Sequence, residues 1–366
     1  MRLCQAFTDC DHEVVLTGLA SRTNVAEPIS YFGLRGGFRV IVNSVNRLWD
    51  NKFLRPLLIP GLVLAWQTRK LLKSFKPDII YSRLTLTELA FVPGNLPILY
   101  EMHSLKPLHS AGLPGIVFKY LVQKKYFVRI VATTEYLANA LKSELPDIDV
   151  IVARLSSEPA INISPDELNK FSRNQLMGNS KYNIGYTGAL DKDGLRGTKV
   201  ICDIASRLPD YCFHIVGGKS DIVEYWQEYS RKINSHNNLF FYGHRNPSQI
   251  PYFLNLFDIV LAPLQYKPSE AAPVGKGMSP LKLSQYMAYS KAIVASDIPA
   301  HREILQHEVN AYLVKSDNIE SWTEAVKKLL IDKTLRDQLS KKALNTYYSE
   351  FTPQQRVHRI VSGIIE

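Results

Sequence analysis

Short apolar runs rich in β-branched residues recur along the chain, separated by longer stretches of mixed polarity. In the first half the runs are HEVVLTGLA, DIIYSR, PILYEMHS, FVRIVATT and IDVIVA; in the second they are YNIGYTGAL, YCFHIVGG, NNLFFYGH, FDIVLAPL, KAIVASD and AYLVKS. Most are continuous rather than alternating, the pattern of strands buried on both faces of a parallel sheet. The stretches between them, such as EYLANALKSEL, GTKVICDIASRLP, DIVEYWQEYSRKIN and NIESWTEAVKKLLID, carry helical spacing. Strand–helix alternation in two blocks predicts an α/β protein of two doubly wound domains. The polar stretch SSEPAINISPDELNKFSRNQLMGNSKYN lies between the blocks and reads as a linker. The expected division is a first domain over 1–157, a linker over 158–181, a second domain over 182–350 and a closing segment over 351–366. The first block opens on RLCQAF, the end of a helix, with no strand before it. A doubly wound domain ordinarily opens on a strand, so the reading expects a first domain that lacks its first strand through shortening at the N-terminus. The alternative is a fold variant that starts on a helix.

Composition narrows this picture little. The chain has 366 residues, suited to two cores rather than one, with 46% hydrophobic and 21% charged residues. The longest apolar stretch, LLIPGLVLAW, holds Pro60 and is too short to span a bilayer. The N-terminus lacks the layout of a signal peptide. Cys4, Cys10, Cys202 and Cys212 show neither CxxC nor zinc spacing, so the reading expects inert thiols, no metal and a cytoplasmic protein.

Charge changes the picture more. The net charge is +10. Between Arg35 and Arg83 lie ten Lys/Arg against two acids, Asp50 and Asp78, a local net of +8 that includes Trp49, Trp66 and many leucines. Such a segment suits a solvated helix face, or peripheral contact with the anionic inner face of a membrane. Nucleic acid would also attract it, but no nucleic-acid motif is present, and no nucleic-acid partner is expected.

Ligands of doubly wound domains bind beyond the carboxyl ends of the strands. After NIGYTG, Gly188, Gly194 and Gly197 permit close backbone approach, and Arg196 and Lys199 stand at a helix entry that favours anions. The alternative there is an ordinary turn with solvated cations. After FDIVLA comes the long loop APLQYKPSEAAPVGKGMSP. It ends on Ser279, a good N-cap, with Pro280 at the first helical position. Lys282 and Gln285, three residues apart, share one face and point back toward the helix start. Two helix starts with cations would converge on one anionic group, and a diphosphate fits.

Taken in order, IGYTGALDKDGLRGTKVI, FHIVGG, LFFYGH, FDIVLAPLQ and MSPLKLSQYMAYSKAIVASDIPAHREIL resemble the donor-binding half of glycosyltransferase family 4, the retaining group 1 glycosyltransferases. The first half resembles the family more weakly, through HEVVLTGLA, PDIIYSR, YEMHS and IVATTEYLANAL. The resemblance implies the GT-B fold, two Rossmann-like domains facing a cleft, with 351–366 packing back on the first domain. It implies a nucleotide-sugar donor, a glycan or lipid-linked acceptor in surface polysaccharide or glycolipid synthesis, retention of anomeric configuration, and neither metal nor cofactor. The basic pair for the diphosphate falls on Arg196 and Lys199, while Ala189 stands where many members carry a further cation. The two-glutamate motif falls on Gly277 and Gln285, neither of them an acid. Gly188, Gly197, Met278, Ser279, Leu281 and Lys282 complete the implied donor site. His103 matches the histidine that faces the donor sugar, with Glu101 beside it and Arg83 as a further strand-end candidate. Arg245 and Asn246 match a stretch near the base, and Glu303 an acid at the next helix start, where capping is an equal explanation. Two alternatives remain at this level. One is a catalytically degenerate nucleotide-sugar binder or scaffold, favoured by the missing first strand above all, and by Ala189 and Gln285. The other is an isomerase of the same fold, whose acids and histidines find no place in the sequence.

Overall fold

The computed structural model describes residues 1–20, 29, 33–44, 59–83, 96–109, 112–123, 127–266 and 279–364. These fall into two compact units, Met1–Arg154 with Arg356–Glu366, and Leu155–Gln355.

Unit 1 opens on helix α1 (Arg2–Asp9), followed by the parallel pair β1 (Val15–Ala20) and β2 (Arg39–Ser44). The sequence reading passes over β2, because only Val40, Ile41 and Val42 are apolar there and flanking arginines assign the stretch to the basic segment. Helix α2 (Ile59–Phe75) precedes β3 (Ile80–Ser82), β4 (Ile98–Met102) and the short α3 (Lys106–His109). Then come α4 (Leu113–Gln123), β5 (Phe127–Ala132), α5 (Glu135–Glu144) and β6 (Val150–Val152). Strands β3, β4, β5 and β6 form a parallel sheet in that order. All of β4 is buried, so its run is apolar apart from Glu101. Tyr100 stacks on Phe127 in a core shared with Ile130, Leu137 and Leu141.

The C-terminal helix, Pro353–Val361, runs into unit 1. Arg129 of β5 donates from Nη1 to the carbonyls of Ile360 and Ser362 at 2.9 and 2.8 Å, and from Nε to Asp149 at 2.6 Å. Ile360 and Val361 join Leu99, Val131 and Ala153 in an apolar cluster.

Unit 2 begins before the stretch read as a linker, and that stretch holds helix α6 (Pro165–Gln175). A capping box starts it: Ser164 Oγ accepts the Glu167 N–H, and the Glu167 carboxylate accepts the Ser164 N–H. Phe171 stacks on Tyr252 and meets Phe253 edge-on. None of the helix's residues is buried, and this polarity makes it read as a connector.

Six strands follow in unit 2: β7 (Asn183–Thr187), β8 (Cys212–Val216), β9 (Leu239–Gly243), β10 (Ile259–Ala262), β11 (Ala292–Ser296) and β12 (Tyr312–Val314). Between and after them lie α7 (Thr198–Arg207), α8 (Ser220–Lys232), α9 (Ile250–Leu256), α10 (Leu281–Ala288), α11 (Pro299–Arg302), α12 (Ile319–Ile331) and α13 (Lys333–Thr346). The sheet is parallel in the order β12-β11-β10-β7-β8-β9. Successive residues of β10 serve opposite faces. Ile259 and Leu261 join the core under α7 and α12, with Val200, Ile201 and Trp322; Val260 and Ala262 join the core under α9 and α10, with Phe253, Leu283 and Met287. Burial on both faces is why these runs do not alternate. The chain winds from β7 outward to β9, then returns to β10 beside β7 and winds the other way. That reversal creates a crevice outside the carboxyl ends of β7 and β10, where ligands of such sheets bind.

Candidate functional site

Among the described residues, the crevice in unit 2 is lined by the segment that leaves β7, by Pro263 just after β10 and by the start of α10. After β7 the chain passes Gly188, whose φ is +146 and whose N–H donates to Val216 O at 2.9 Å. It then reaches the start of α7. Gly197 stands at that start with φ +82, and a Cβ there would lie 2.0 Å from the Pro263 carbonyl oxygen just after β10. Only glycine lets the two segments approach this closely. Thr198, the first residue of α7, is fully buried, and its hydroxyl has no partner among the described residues.

Lys282 reaches into the crevice from the first turn of α10. Its Nζ lies 3.9 Å from the centroid of the Tyr186 ring and 3.2 Å from where a Cβ on Gly188 would sit. Tyr186 is buried and donates to Ala189 O at 2.9 Å, which fixes the ring as a floor. Burial, reinforced by the nearby positive charge of Arg196 and opposed by Asp191, pulls the Lys282 pKa down to about 7. The Arg196 N–H donates to both Asp191 oxygens at 3.1 and 3.2 Å, and its Nε lies 4.0 Å from the same carboxylate. Trp226 Nε1 fixes the Asp191 carbonyl at 2.8 Å. The cluster therefore has two cations against one acid, and Lys282 has no carboxylate partner among the described residues. It is a place prepared for an anion.

Lys199 is not part of this cluster. Its ammonium pairs with Asp203 at 2.7 Å, one turn along α7, and lies 5.5 Å from the Tyr229 ring centroid. The α10 start also differs from the expectation. The helix begins at Leu281 with Pro280 at the N-cap position, and Ser279 Oγ instead accepts the Leu155 N–H at 3.3 Å. Leu281 is exposed, and the Gln285 side chain, one turn on from Lys282, finds no hydrogen-bond partner among the described residues. Gly277 and Met278 lie outside the described residues.

Two residues the sequence reading missed shape the crevice. Tyr286 is fully buried and accepts the Thr187 N–H at 2.8 Å; burial pushes its pKa up to about 12. His301, at the carboxyl side of β11, donates from Nδ1 to Ser296 O at 2.8 Å, and burial pulls its pKa down to about 4. It is neutral, with its proton on Nδ1. Its signal in the sequence is the AHRE stretch that follows β11. Glu303 follows α11 rather than starting it, and its N–H donates to Pro299 O at 3.2 Å. Arg245, beyond β9, has a buried Nε without a partner among the described residues, and Asn246 caps the turn Pro247–Gln249 with its carbonyl.

In unit 1 the candidate residues gather at the carboxyl ends of β3 and β4. Glu101 has no exposed side-chain surface. His103 Nε2 lies 2.6 Å from Oε1, and Arg83 Nε 3.4 Å from the same oxygen. Tyr81 Oη donates to Oε2, and Arg356 Nη2 lies 3.0 Å from it. His103 is partly exposed beyond this anchored carboxylate. Elsewhere in unit 1, α2 exposes Trp66, Arg69, Lys70 and Lys73, while Arg35 and Arg39 pair with Asp9 and Glu13. Trp49, Arg47, Lys52 and Arg55 lie outside the described residues. Among the described residues no helix is long and apolar enough to cross a membrane.

Residues 175–346 match the model of the family Glycosyl transferases group 1. The match contains Gly188, Arg196, Lys282 and the rest of the unit 2 crevice. A curated relative, TuaH of Bacillus subtilis (strain 168), named for a glycosyltransferase role assigned to it in teichuronic acid biosynthesis, is 28% identical over 159 residues. That alignment spans 43% of this chain and 37% of the relative. Among solved structures, a glycosyltransferase from Rickettsia africae ESF-5 superposes with TM-score 0.72 at 15% identity, covering 99% of this chain and 94% of that one. Anabaena Alr3699/HepE, solved in complex with UDP and glucose, superposes with TM-score 0.68 at 16% identity, covering 96% of this chain and 100% of that one. WaaG, a glycosyltransferase involved in lipopolysaccharide biosynthesis, gives TM-score 0.63 at 13% identity over 99% of this chain and 95% of its own. These neighbours are GT-B glycosyltransferases, and the chain has their α/β fold of two Rossmann-like domains.

Proposed function

We propose that the protein is a retaining, metal-independent glycosyltransferase that moves a sugar from a nucleotide-sugar donor to a hydroxyl of a glycan or lipid-linked acceptor. The observation that carries this reading is the juxtaposition of Lys282 and Arg196 at the switch point of the unit 2 sheet, between the starts of α7 and α10. The family match over the same residues supports it, as do the names of the relatives, which favour surface polysaccharide or glycolipid synthesis.

As the bond between the sugar and the diphosphate breaks, the leaving oxygen takes the bonding electrons and negative charge grows there. Lys282, Arg196 and the two helix starts meet that charge with preorganised positive potential, the largest protein contribution to such a step. Gln285 takes the place of an acid beside the ribose. Its amide oxygen still accepts a hydrogen bond, without the charge that would strengthen it. His103, set by Glu101, positions the transferred sugar. The leaving phosphate oxygen takes the acceptor proton, so no side-chain base need be assigned. Trp66 and the basic side chains of α2 supply contact with an anionic membrane that carries the acceptor.

The test is a panel of nucleotide sugars, read by release of the nucleoside diphosphate and by transfer to lipid-linked or glycan acceptors. One donor should turn over saturably. Saturable nucleotide binding with no turnover on any donor would favour the non-catalytic binder.

A further inference from the structure

Glu101 is a fully buried carboxylate in a strand that is otherwise apolar. A buried charge of this kind persists only when cations and hydrogen-bond donors offset its lost hydration. Its two oxygens have different company. Oε1 faces His103 Nε2 at 2.6 Å and Arg83 Nε at 3.4 Å, and the Arg83 side chain is 58% exposed. Oε2 takes the Tyr81 hydroxyl and forms an ion pair with Arg356, whose Nη2 lies 3.0 Å away without hydrogen-bond alignment; the Arg356 side chain is only 6% exposed. Arg356 arrives from the far end of the chain, and its Nε also donates to Ala153 O at 3.4 Å. Arg129 holds the same segment through the Ile360 and Ser362 carbonyls.

We infer that Arg356 is a positioning residue for His103, acting through Glu101, so that the C-terminal helix sets the orientation of a group in the sugar-transfer site. The step from orientation to turnover rests on the proposed role of His103; the orientation itself rests on unit 1 alone. With Oε2 anchored by Arg356 and Tyr81, Oε1 stays aimed at Nε2. Whenever the imidazole carries a single proton, that contact favours it on Nε2 and leaves the Nδ1 lone pair to accept from a sugar hydroxyl. Without Arg356 only Tyr81 holds Oε2, the carboxylate gains freedom to rotate, and Oε1 no longer meets Nε2 in a single geometry.

The test compares the full-length protein with Arg356→Met and Arg356→Lys. Ring-nitrogen NMR at a pH where free imidazole is neutral should show the Nε2–H tautomer of His103 in the parent, a tautomer mixture in Arg356→Met, and recovery in Arg356→Lys. Turnover number should fall about 10–100-fold in Arg356→Met, with UDP affinity unchanged because unit 2 holds the nucleotide, and Arg356→Lys should regain part of it. If Arg356→Met does not fold, Arg356→Gln carries the same comparison. An unchanged tautomer and wild-type turnover in the folded variant would overturn the inference. If the parent transfers no sugar from any donor, the proposed function fails, while the ring signature still decides whether Arg356 orients His103.

Discussion

Lys282 is the residue on which the unit 2 crevice turns. A lysine in an unfolded chain titrates near 10.5, and burial beside Arg196 brings this one to about 7. Between those values the unfolded chain binds a proton that the folded chain lacks, so this group's contribution to stability rises with pH across that window. A diphosphate reverses the local balance and draws the proton back. Nucleotide binding at pH 8 should therefore take up a proton, and affinity should weaken as pH rises above about 7. Calorimetry in buffers of different ionisation enthalpy should report uptake of up to roughly one proton per UDP, and none from this site in Lys282→Met. Equal uptake in the two proteins would remove Lys282 from the diphosphate. The sequence showed Lys282 and Gln285 on one helix face, since that follows from spacing. It could not show the ammonium resting on Tyr186 over Gly188, a contact between β7 and α10, which lie far apart in sequence. Lys199 pairs with Asp203, four residues on along its own helix, a local contact that the motif match does not register.

At the scale of elements, the crevice depends on how closely α7 approaches the end of β10. Alanine at position 197 faces two costs, a left-handed φ and a Cβ 2.0 Å from a backbone oxygen. Gly194 has a similar φ of +70, but a Cβ there would meet nothing nearer than 3.8 Å. Gly194→Ala should cost about 1 kcal/mol and Gly197→Ala about 2–4 kcal/mol, read as a larger fall in Tm. Gly197→Ala should also weaken UDP binding, because the α7 start must move. Similar losses from both changes would contradict the close approach. The strands were legible as continuous runs because each serves two cores, as Ile259 and Val260 do. Strand β2 and helix α6 were not: β2 offers three apolar residues among arginines, and α6 buries none of its side chains. The Ser164–Glu167 capping signature was present and was outweighed by the polarity around it.

At the scale of the molecule, the chain crosses between its units near Arg154 and again within the C-terminal helix. Residues remote in sequence, Glu101 and Arg356, thus share one network, and no spacing rule could pair them. Most of the net charge lies between Arg35 and Arg83. If this basic segment meets an anionic membrane, the protein should sediment with vesicles containing anionic lipid and be released by salt, and Trp66→Ala should weaken the association. Equal association with neutral vesicles would count against it. The central claim is that Lys282 and Arg196 hold the diphosphate of a sugar donor that this protein consumes. It is tested most directly by the rate of nucleoside diphosphate release from the preferred donor, measured side by side for the parent and Lys282→Met. The parent should show saturable turnover, with a kcat/KM about 10–100-fold lower in the variant; equal rates in the two proteins would contradict a diphosphate role for Lys282.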